Sequence, residues 1–260
     1  MKVIGFFLAL PLLAFDVGST RLDPRTSQEF DQYVKRREGE MQARPRFLWC
    51  DGRENCLETL KRNQIVVESR HEKGTHDVHG GLVHDWQGAT FVPGVTLDQT
   101  LALLRNYDNH KAVYAPEVID AKVLSRQGDH LRVFMRLRKK KVITVILNTE
   151  YDTTFERVDD THGRSRSLST KITEVVEPET KAEHELPPGE DHGFMWRLNS
   201  YWRFEERDGG VYIECEAISL SRGVPTFLTG VMAPIVRQLP RESLEKTLSA
   251  TRRALMNKAN

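Results

Sequence analysis

Residues 200–219, "SYWRFEERDGGVYIECEAIS", alternate between two kinds of side chain. Charged residues occupy one face, and the other face carries Ser200, Trp202, Phe204, Val211, Ile213, Cys215 and Ser219. The pattern predicts two antiparallel strands joined at Asp208-Gly209, a pair that tolerates the positive φ angles of a type I′ turn. That turn places Trp202 opposite Cys215 and Arg203 opposite Glu214. We expect this hairpin to line an apolar space that is not wholly dry.

Similar alternation predicts further antiparallel strands. In residues 129–139 one face carries the apolar side chains and the other carries His130 and arginines; the apolar residues are Leu131, Val133, Met135 and Leu137. Such a period of two is typical of strands with one packed and one polar face. The predicted strands are 64–69, 81–92, 118–127, 129–139, 142–158 and 165–176. A polar segment with two prolines, 177–192, is predicted to be a loop.

Helical patterns flank these strands. We predict a polar helix over 26–44 capped by Thr26 or Ser27, a short one over 53–63, and a Thr96-capped helix over 96–114 that breaks in two at 106–110. A short helix at 231–239 precedes a long one that begins at Pro240. The long helix has an apolar stripe, with Arg252 and Arg253 outside it; the stripe consists of Leu244, Leu248, Thr251 and Leu255.

The first residues have the character of an export signal. "MKVIGFFLALPLLAF" has a lysine at position 2 and an apolar run over 3–15. This run is too short to span a hydrocarbon core of about 30 Å comfortably, but it fits the apolar region of a signal peptide. We expect residues 1–19 to be a signal peptide and the protein to be exported, periplasmic or secreted, with an uncleaved anchor as the alternative. In an exported protein Cys50 and Cys56 can form a disulfide, although two free thiols are an equally simple account.

Composition changes this picture little. The 260 residues include 38 Lys and Arg against 37 Asp and Glu, so the overall charge favours neither nucleic acid nor an anionic membrane as a partner. The basic run at 136–141 contains no aromatic residues and is interpreted as a solvated turn between strands. The charge pattern therefore predicts no nucleic-acid partner, and transient contact with a membrane stays open.

If a curved sheet packs around the last helix, the apolar faces of all these predicted elements are buried. Three segments carry a family resemblance: "LDQTLALLRNYDNHKAVYAPEVIDAKVL", "GFMWRLNSYWRFEERDGGVYIECEAISLSR" and "LPRESLEKTLSATRRAL". Through them, residues 80–257 resemble the START-like, or Bet v 1-like, helix-grip superfamily of polyketide cyclases and lipid-transport proteins, in particular a bacterial branch of exported proteins. The resemblance implies an α+β fold in which a curved antiparallel sheet grips a long C-terminal helix. The predicted domain is 63–260, and residues 20–62, which the resemblance leaves unexplained, are predicted to be an N-terminal helical extension.

The predicted cavity gives a set of candidate binding residues. They are Trp86, Tyr151, Trp196, Ser200, Trp202, Phe204, Ile213 and Ser219. An apolar pocket with a few placed hydroxyls is usual for small-molecule sites, although core packing alone also accounts for such residues. Asp108 and His110, in "RNYDNHKAVY", together with Tyr151 are candidate acid–base groups if Asp108 orients His110. A turn between two helices accounts for the first two equally well.

Other chemistry has weak support in the sequence. "HEKGTH" places His71 and His76 five residues apart, which does not fit the i, i+4 spacing of helical zinc ligands. His79 and His84 could join them from a loop, but an exposed polar loop explains these histidines without a ligand, and we predict no metal site. Nucleophile-elbow, P-loop and dinucleotide-binding motifs are absent from the sequence. No cofactor is predicted.

The leading hypothesis is an exported protein that binds, and in one version transports, a lipid or another hydrophobic small molecule without covalent chemistry. Two alternatives remain open. One is a cyclase- or hydrolase-like enzyme acting in the same cavity, and the other is an interaction module whose cavity is filled by its own side chains. The members of the family include carriers, cyclases, hydrolases and proteins of no known activity, so the resemblance does not decide between them. The ligand and the oligomeric state are not predicted.

Overall fold

A computed structural model describes residues 20–140, 144–224 and 229–259, so the predicted signal peptide lies outside the described residues. The helices are α1 (Pro24–Gln42), α2 (Cys56–Lys61), α3 (Leu97–Arg105), α4 (His110–Tyr114) and α5 (Thr229–Ala259). Short 3-10 turns occupy Cys50–Gly52 and Tyr107–Asn109. The strands are β1 (Val66–Ser69), β2 (His76–Val78), β3 (Gly81–Pro93), β4 (Val118–Gln127), β5 (His130–Lys140), β6 (Thr144–Arg157), β7 (His162–Val176), β8 (His184–Glu185), β9 (Arg197–Arg207) and β10 (Gly210–Arg222).

The described strands form one antiparallel sheet that curves around α5. Its order is β1-β3-β10-β9-β7-β6-β5-β4, with β2 paired to β3 and β8 paired to β7. The α+β helix-grip architecture expected from the sequence is therefore confirmed. Asp208 and Gly209 have φ angles of 57° and 75°, as a type I′ turn requires, and the predicted register of this hairpin is also confirmed.

The inner face of the sheet packs against α5 through the predicted stripe. Leu244, Leu248, Thr251 and Leu255 are all buried. Two expectations about this helix are wrong. The helix continues through Pro240, although a proline inside a helix removes one backbone donor and crowds the carbonyl four residues before it. Arg252 is buried rather than exposed, because its Nη1 donates to the carbonyl of Asn63 at 2.7 Å.

The N-terminal extension covers the outer face of β3, β10 and β9. Asp23 rather than Thr26 or Ser27 caps α1, accepting a bond from the Arg25 amide. Two apolar clusters join the extension to the sheet; the first consists of Phe30, Tyr33, Val34, Met41, Val83, Ile218 and Leu220, and the second of Leu48, Trp49, Cys50, Cys56, Leu60, Ala89, Phe91 and Tyr212. The charged face of the hairpin is therefore covered here, whereas its alternation suggests a face in water.

A network of ion pairs and hydrogen bonds accompanies this covered face. Arg37 of α1 bonds Asp85 of β3 (Nε–Oδ2 3.1 Å) and Glu216 of β10 (Nη2–Oε1 2.6 Å). Glu214 accepts from the Trp49 and Cys50 amides, each at 3.0 Å. These contacts offset part of the cost of burying the carboxylates, while Asp85 Oδ1 has no hydrogen-bond partner among the described residues.

The chain segment after α1 is closed by a disulfide between Cys50 and Cys56, with the two Cα atoms 5.4 Å apart. Cys215, on the inner face, is a free thiol and is buried. No helix in the described part of the chain combines the length and apolar character needed to cross a membrane.

Candidate functional site

A cavity of about 940 Å³ lies between the inner face of the sheet and α5. Leu104, Tyr107 and Phe155 line the end where α3 approaches β6. The opposite end is lined by the first residues of β6, the last of β5 and β10, and the part of α5 around Pro240. The volume falls within the range of pockets that enclose small organic ligands.

The two sides of the cavity differ in chemistry. The side formed by α4, β5 and β6 is largely apolar but includes two basic side chains, His110 and Lys139; its other residues are Tyr114, Met135, Leu137, Val145, Leu147, Tyr151 and Phe155. The side formed by β7, β9 and β10 is rich in small residues, namely Ser165, Ser167, Ser200, Cys215, Ala217, Ser219 and Ser221, and it also includes Leu198, Trp202 and Arg222. The site can therefore hold an apolar molecule against one wall and offer hydroxyls from the other.

Some of these hydroxyls bond within the protein. Ser167 bonds Thr153 (2.8 Å), and Thr153 lies 3.5 Å from the Tyr107 hydroxyl. Ser221 bonds His84 Nε2 at 3.0 Å, and burial lowers the pKa of His84 to about 4. His84 is therefore neutral at physiological pH, which suits a histidine in an apolar wall.

Four of the eight predicted binding residues line the cavity: Tyr151, Ser200, Trp202 and Ser219. Trp86, Phe204 and Ile213 do not line it. They belong to the packed core on the inner face of β3, β9 and β10, the face against which α5 packs. Trp196 lies just before β9, so the alternation of the strand does not govern it; it packs with the outer cluster around Phe30 and donates Nε1–H to Asp191 at 3.0 Å.

The three candidate acid–base residues are only partly brought together. His110 and Tyr151 line the cavity, whereas Asp108 turns away and accepts a bond from the Val123 amide at 2.9 Å. His110 Nε2 donates to the Leu104 carbonyl (3.1 Å), and burial lowers the pKa of its imidazole to about 4. Asp108 therefore does not orient His110, and the pair lacks the geometry of an acid–base dyad.

Tyr151 lines the cavity but takes part in no acid–base pair. Its side chain is 3% exposed, and its hydroxyl has no hydrogen-bond partner among the residues that the structure describes. Thr149, next along the same face of β6, instead donates to the Met135 carbonyl at 2.7 Å. Burial raises the pKa of Tyr151, so it remains a neutral phenol.

The histidines considered as metal ligands do not converge: His71 and His76 lie together, and His84 lies elsewhere. His71 Nε2 lies 2.6 Å from the Tyr33 hydroxyl, which itself donates to Asp85, and the ring of His71 stacks on that of His76 at 5.2 Å. His84 lines the cavity instead. Among the described residues no group of three or more potential ligands is placed to hold a metal ion.

Sequence reasoning missed the charged residues at the end of the cavity around Pro240. Lys139 lines the cavity there, and burial lowers the pKa of its amine to about 8. Beside it, Lys246 of α5 bonds Glu117 (Nζ–Oε1 2.6 Å). Lys139 continues the inward positions of β5 begun by Leu131, so the alternation alone could have found it. Ser165 and Ser167 could have been found in the same way on β7, but Glu117 and Lys246 required the fold.

Comparison with known proteins places the chain among solved structures of similar architecture. A STAR-related lipid transfer protein from Xanthomonas axonopodis is 17% identical, with 70% of this chain and 98% of that chain covered and a TM-score of 0.47. A START superfamily protein from Mycobacterium smegmatis is 9% identical (67% and 99% covered, TM-score 0.47). An aromatase/cyclase from a Streptomyces species is 11% identical (68% and 93% covered, TM-score 0.44).

Because these sequence identities and TM-scores are low, the fold of this chain is assigned from its own strand order and from the helix that the curved sheet encloses. No protein-family model matches the sequence, and no curated protein matches it.

Proposed function

We propose that the protein binds a lipid or another hydrophobic small molecule in this cavity and carries or shields it without covalent chemistry. The observation that carries the proposal is the mostly apolar, 940 Å³ space between the sheet and α5. Burying apolar surface there is favourable by about 25 cal/mol per Å² removed from water. A ligand that fills much of the cavity is therefore bound without a charged anchor.

The hydrogen bonding and burial of His110 and Cys215 favour ligand binding over catalysis. The His110 imidazole is engaged with the Leu104 carbonyl and has no carboxylate bonded to it among the described residues. Burial raises the pKa of the Cys215 thiol well above its usual range, so it is a poor nucleophile. These groups fit the wall of a binding site better than a reaction centre.

We also propose that the protein acts outside the reducing cytoplasm, as the apolar N-terminal run suggests. The Cys50–Cys56 disulfide supports this proposal, since such bonds persist in oxidising compartments.

The binding proposal is tested with a dansyl-labelled fatty acid whose fluorescence rises in apolar surroundings. Ser200→Phe places a ring inside the cavity, and Ser125→Phe makes the same change on an exposed part of β4. We expect the wild type and Ser125→Phe to bind alike and Ser200→Phe to bind at least tenfold more weakly. Equal binding by all three proteins, or by none of them, would contradict the proposal.

A further inference from the structure

Two buried carboxyl groups meet beneath helix α1 on the outer face of the sheet. Asp85 of β3 is 0% exposed and Glu216 of β10 is 5% exposed. Both accept from the same nitrogen, Nε of Arg37, each at 3.1 Å. The two Nη groups of Arg37 bond Glu216 again, at 2.6 Å, and Glu40. A single guanidinium therefore serves three carboxyl groups, and two of these groups are buried side by side.

The other arginines of this face do not bond the carboxyl pair. Arg44 lies 3.6 Å from Glu216 and from Glu214, which is too far for a hydrogen bond. Arg203 of β9 uses its two Nη groups on main-chain carbonyls, at 2.7 and 2.6 Å. The buried negative charge on this face therefore exceeds the positive charge that is bonded to it.

Hydrogen bonding gives a second, independent indication. Asp85 Oδ1 and Gln87 Oε1 are buried acceptors without a partner among the described residues. Glu216 lies directly opposite Gln87 and is a diagonal neighbour of Asp85, close enough to share a hydrogen bond with it. An ionised carboxylate can only accept, whereas a protonated carboxyl also donates. A proton held by the carboxyl pair supplies a missing donor and removes one of the two buried negative charges.

The remaining titratable and charged groups on this face belong to five elements. The Tyr33 hydroxyl donates to Asp85 Oδ2 (2.7 Å) and lies 2.6 Å from His71 Nε2, and the exposed Arg70 follows β1. The complete set around the pair is Tyr33, Arg37, Glu40, Arg44, Glu68, Arg70, His71, His76, Tyr201, Arg203 and Glu214.

The carboxyls and the histidines of this set titrate in opposite directions. Burial raises the pKa of Asp85 and of Glu216, the latter to about 7, and burial likewise raises the pKa of Glu214 to about 7. An unfolded glutamate titrates near pH 4.3, so the stability that these protons contribute is present below that pH and is lost as the pH rises through about 7. Burial lowers the pKa of His71, which is therefore neutral above about pH 6.5.

We propose that the Asp85–Glu216 carboxyl pair is a proton-dependent latch on the N-terminal extension. One proton held by the pair keeps α1 docked on β3 and β10, and loss of this proton in mildly alkaline solution releases α1 from the sheet. Release returns both carboxylates to water. It leaves the inner core in place, since the core cluster that packs against α5 contains no residue of α1. The latch does not depend on what the cavity binds.

The test measures hydrogen–deuterium exchange of the α1 amides between about pH 6.5 and 8.5, corrected for the intrinsic effect of pH on exchange. Glu216→Gln is the main variant, because an amide of similar shape donates a hydrogen bond at every pH. Asp85→Asn is the second variant and is judged by the same outcomes if Glu216→Gln does not fold. Glu40→Gln is the control, since it makes the same change in a carboxyl that also bonds Arg37 but is 49% exposed.

We expect the equilibrium constant for opening of α1 in the wild type and in Glu40→Gln to rise by up to about tenfold per pH unit above about pH 7. In Glu216→Gln it should stay constant, so that at pH 8.5 α1 opens at least tenfold less often than in the wild type. A merely structural role of Glu216 predicts more opening in this variant at every pH.

Three results would overturn the proposal. In the first, opening of α1 in the wild type does not change with pH, which would mean that ordered water rather than a proton satisfies the acceptors. In the second, Glu216→Gln keeps the slope of the wild type. In the third, the amides of β5 and β6 show the same slope as those of α1, which would show that the whole domain rather than the extension responds to pH.

Discussion

Gly88 of β3 lies directly beneath Leu248 of the C-terminal helix. A Cβ atom placed on Gly88 would lie 2.7 Å from Leu248 Cδ1 and 3.1 Å from Val67 Cγ2. The helix can therefore approach the sheet this closely only where the strand has no side chain. This contact seats α5 against β3, while the open cavity lies against the strands from β10 to β5.

The first prediction concerns this contact. Gly88→Ala adds a methyl group to a packed interface and is expected to destabilise the protein by about 1–3 kcal/mol, measured by urea unfolding. Gly39→Ala is the control, because nothing lies within 4 Å of its added methyl and the residue is inside helix α1. There the change stabilises by about 0.5–1 kcal/mol. Equal effects at the two glycines would show that the close approach of α5 is not what requires Gly88.

The second prediction concerns the ion pairs beneath α1. Arg37→Met leaves Asp85 and Glu216 without their shared cation, and we expect a loss of about 3–5 kcal/mol because both carboxylates stay buried. Urea unfolding measures the loss, and limited proteolysis reports whether α1 detaches. Arg36→Met is the control on the same helix, since Arg36 is 59% exposed and is expected to change the stability by less than about 1 kcal/mol. A loss no greater for Arg37 than for Arg36 would show that the extension docks without this pair.

The third prediction concerns acid stability. Burial lowers the pKa values of His84 and His110 to about 4, below the value of about 6.5 for an unfolded histidine. At these two sites the unfolded state therefore binds more protons between these values, and the contribution of the two histidines to stability falls as the pH drops from about 6.5 to 4. Each histidine contributes about 1–3 kcal/mol to this fall.

His110→Gln removes one of these histidine titrations, so the unfolding free energy at pH 4.5, taken relative to that at pH 7, should be higher in the variant than in the wild type. The slope, rather than the absolute stability, is the readout, because the substitution also alters packing. An unchanged slope would mean that His110 is accessible to protons in the folded protein.

The fourth prediction concerns the disulfide. Replacing Cys50 and Cys56 by serine opens a loop with a sequence separation of 6, and we expect a loss of about 2 kcal/mol in urea unfolding. Reductant should lower the stability of the wild type by a similar amount and leave the double variant unaffected. A wild type insensitive to reductant would indicate that the two thiols are not joined. Cys215→Ser serves as the control for a thiol that forms no bridge.

Much of the fold could be predicted because alternation and turn chemistry act locally. The Asp208-Gly209 turn fixes the register of its hairpin, which places Trp202 opposite Cys215 as expected. The burial of Glu214 and Glu216 could not be predicted, since a carboxylate on an alternating strand has the same pattern whether water or an arginine of a distant helix meets it. No local pattern in the sequence indicates that Arg37 forms an ion pair with Glu216.

The candidate site was predictable only in part for a related reason. Phe204, Ile213 and Trp202 all point to the inner face, but Trp202 lines the cavity and the other two are packed core. Which part of an inner face stays open depends on where α5 crosses the sheet, and strand periodicity does not contain that information.

The central claim, that the cavity holds a hydrophobic molecule, is tested most directly by native mass spectrometry of the protein purified without detergent, followed by organic extraction of what co-purifies. We predict a discrete added mass that disappears on denaturation and is recovered unchanged in the extract. A bare protein mass, together with no binding of any hydrophobic probe, would contradict the claim. The face of Trp202 would then be a packed surface, and the protein would be better described as an interaction module.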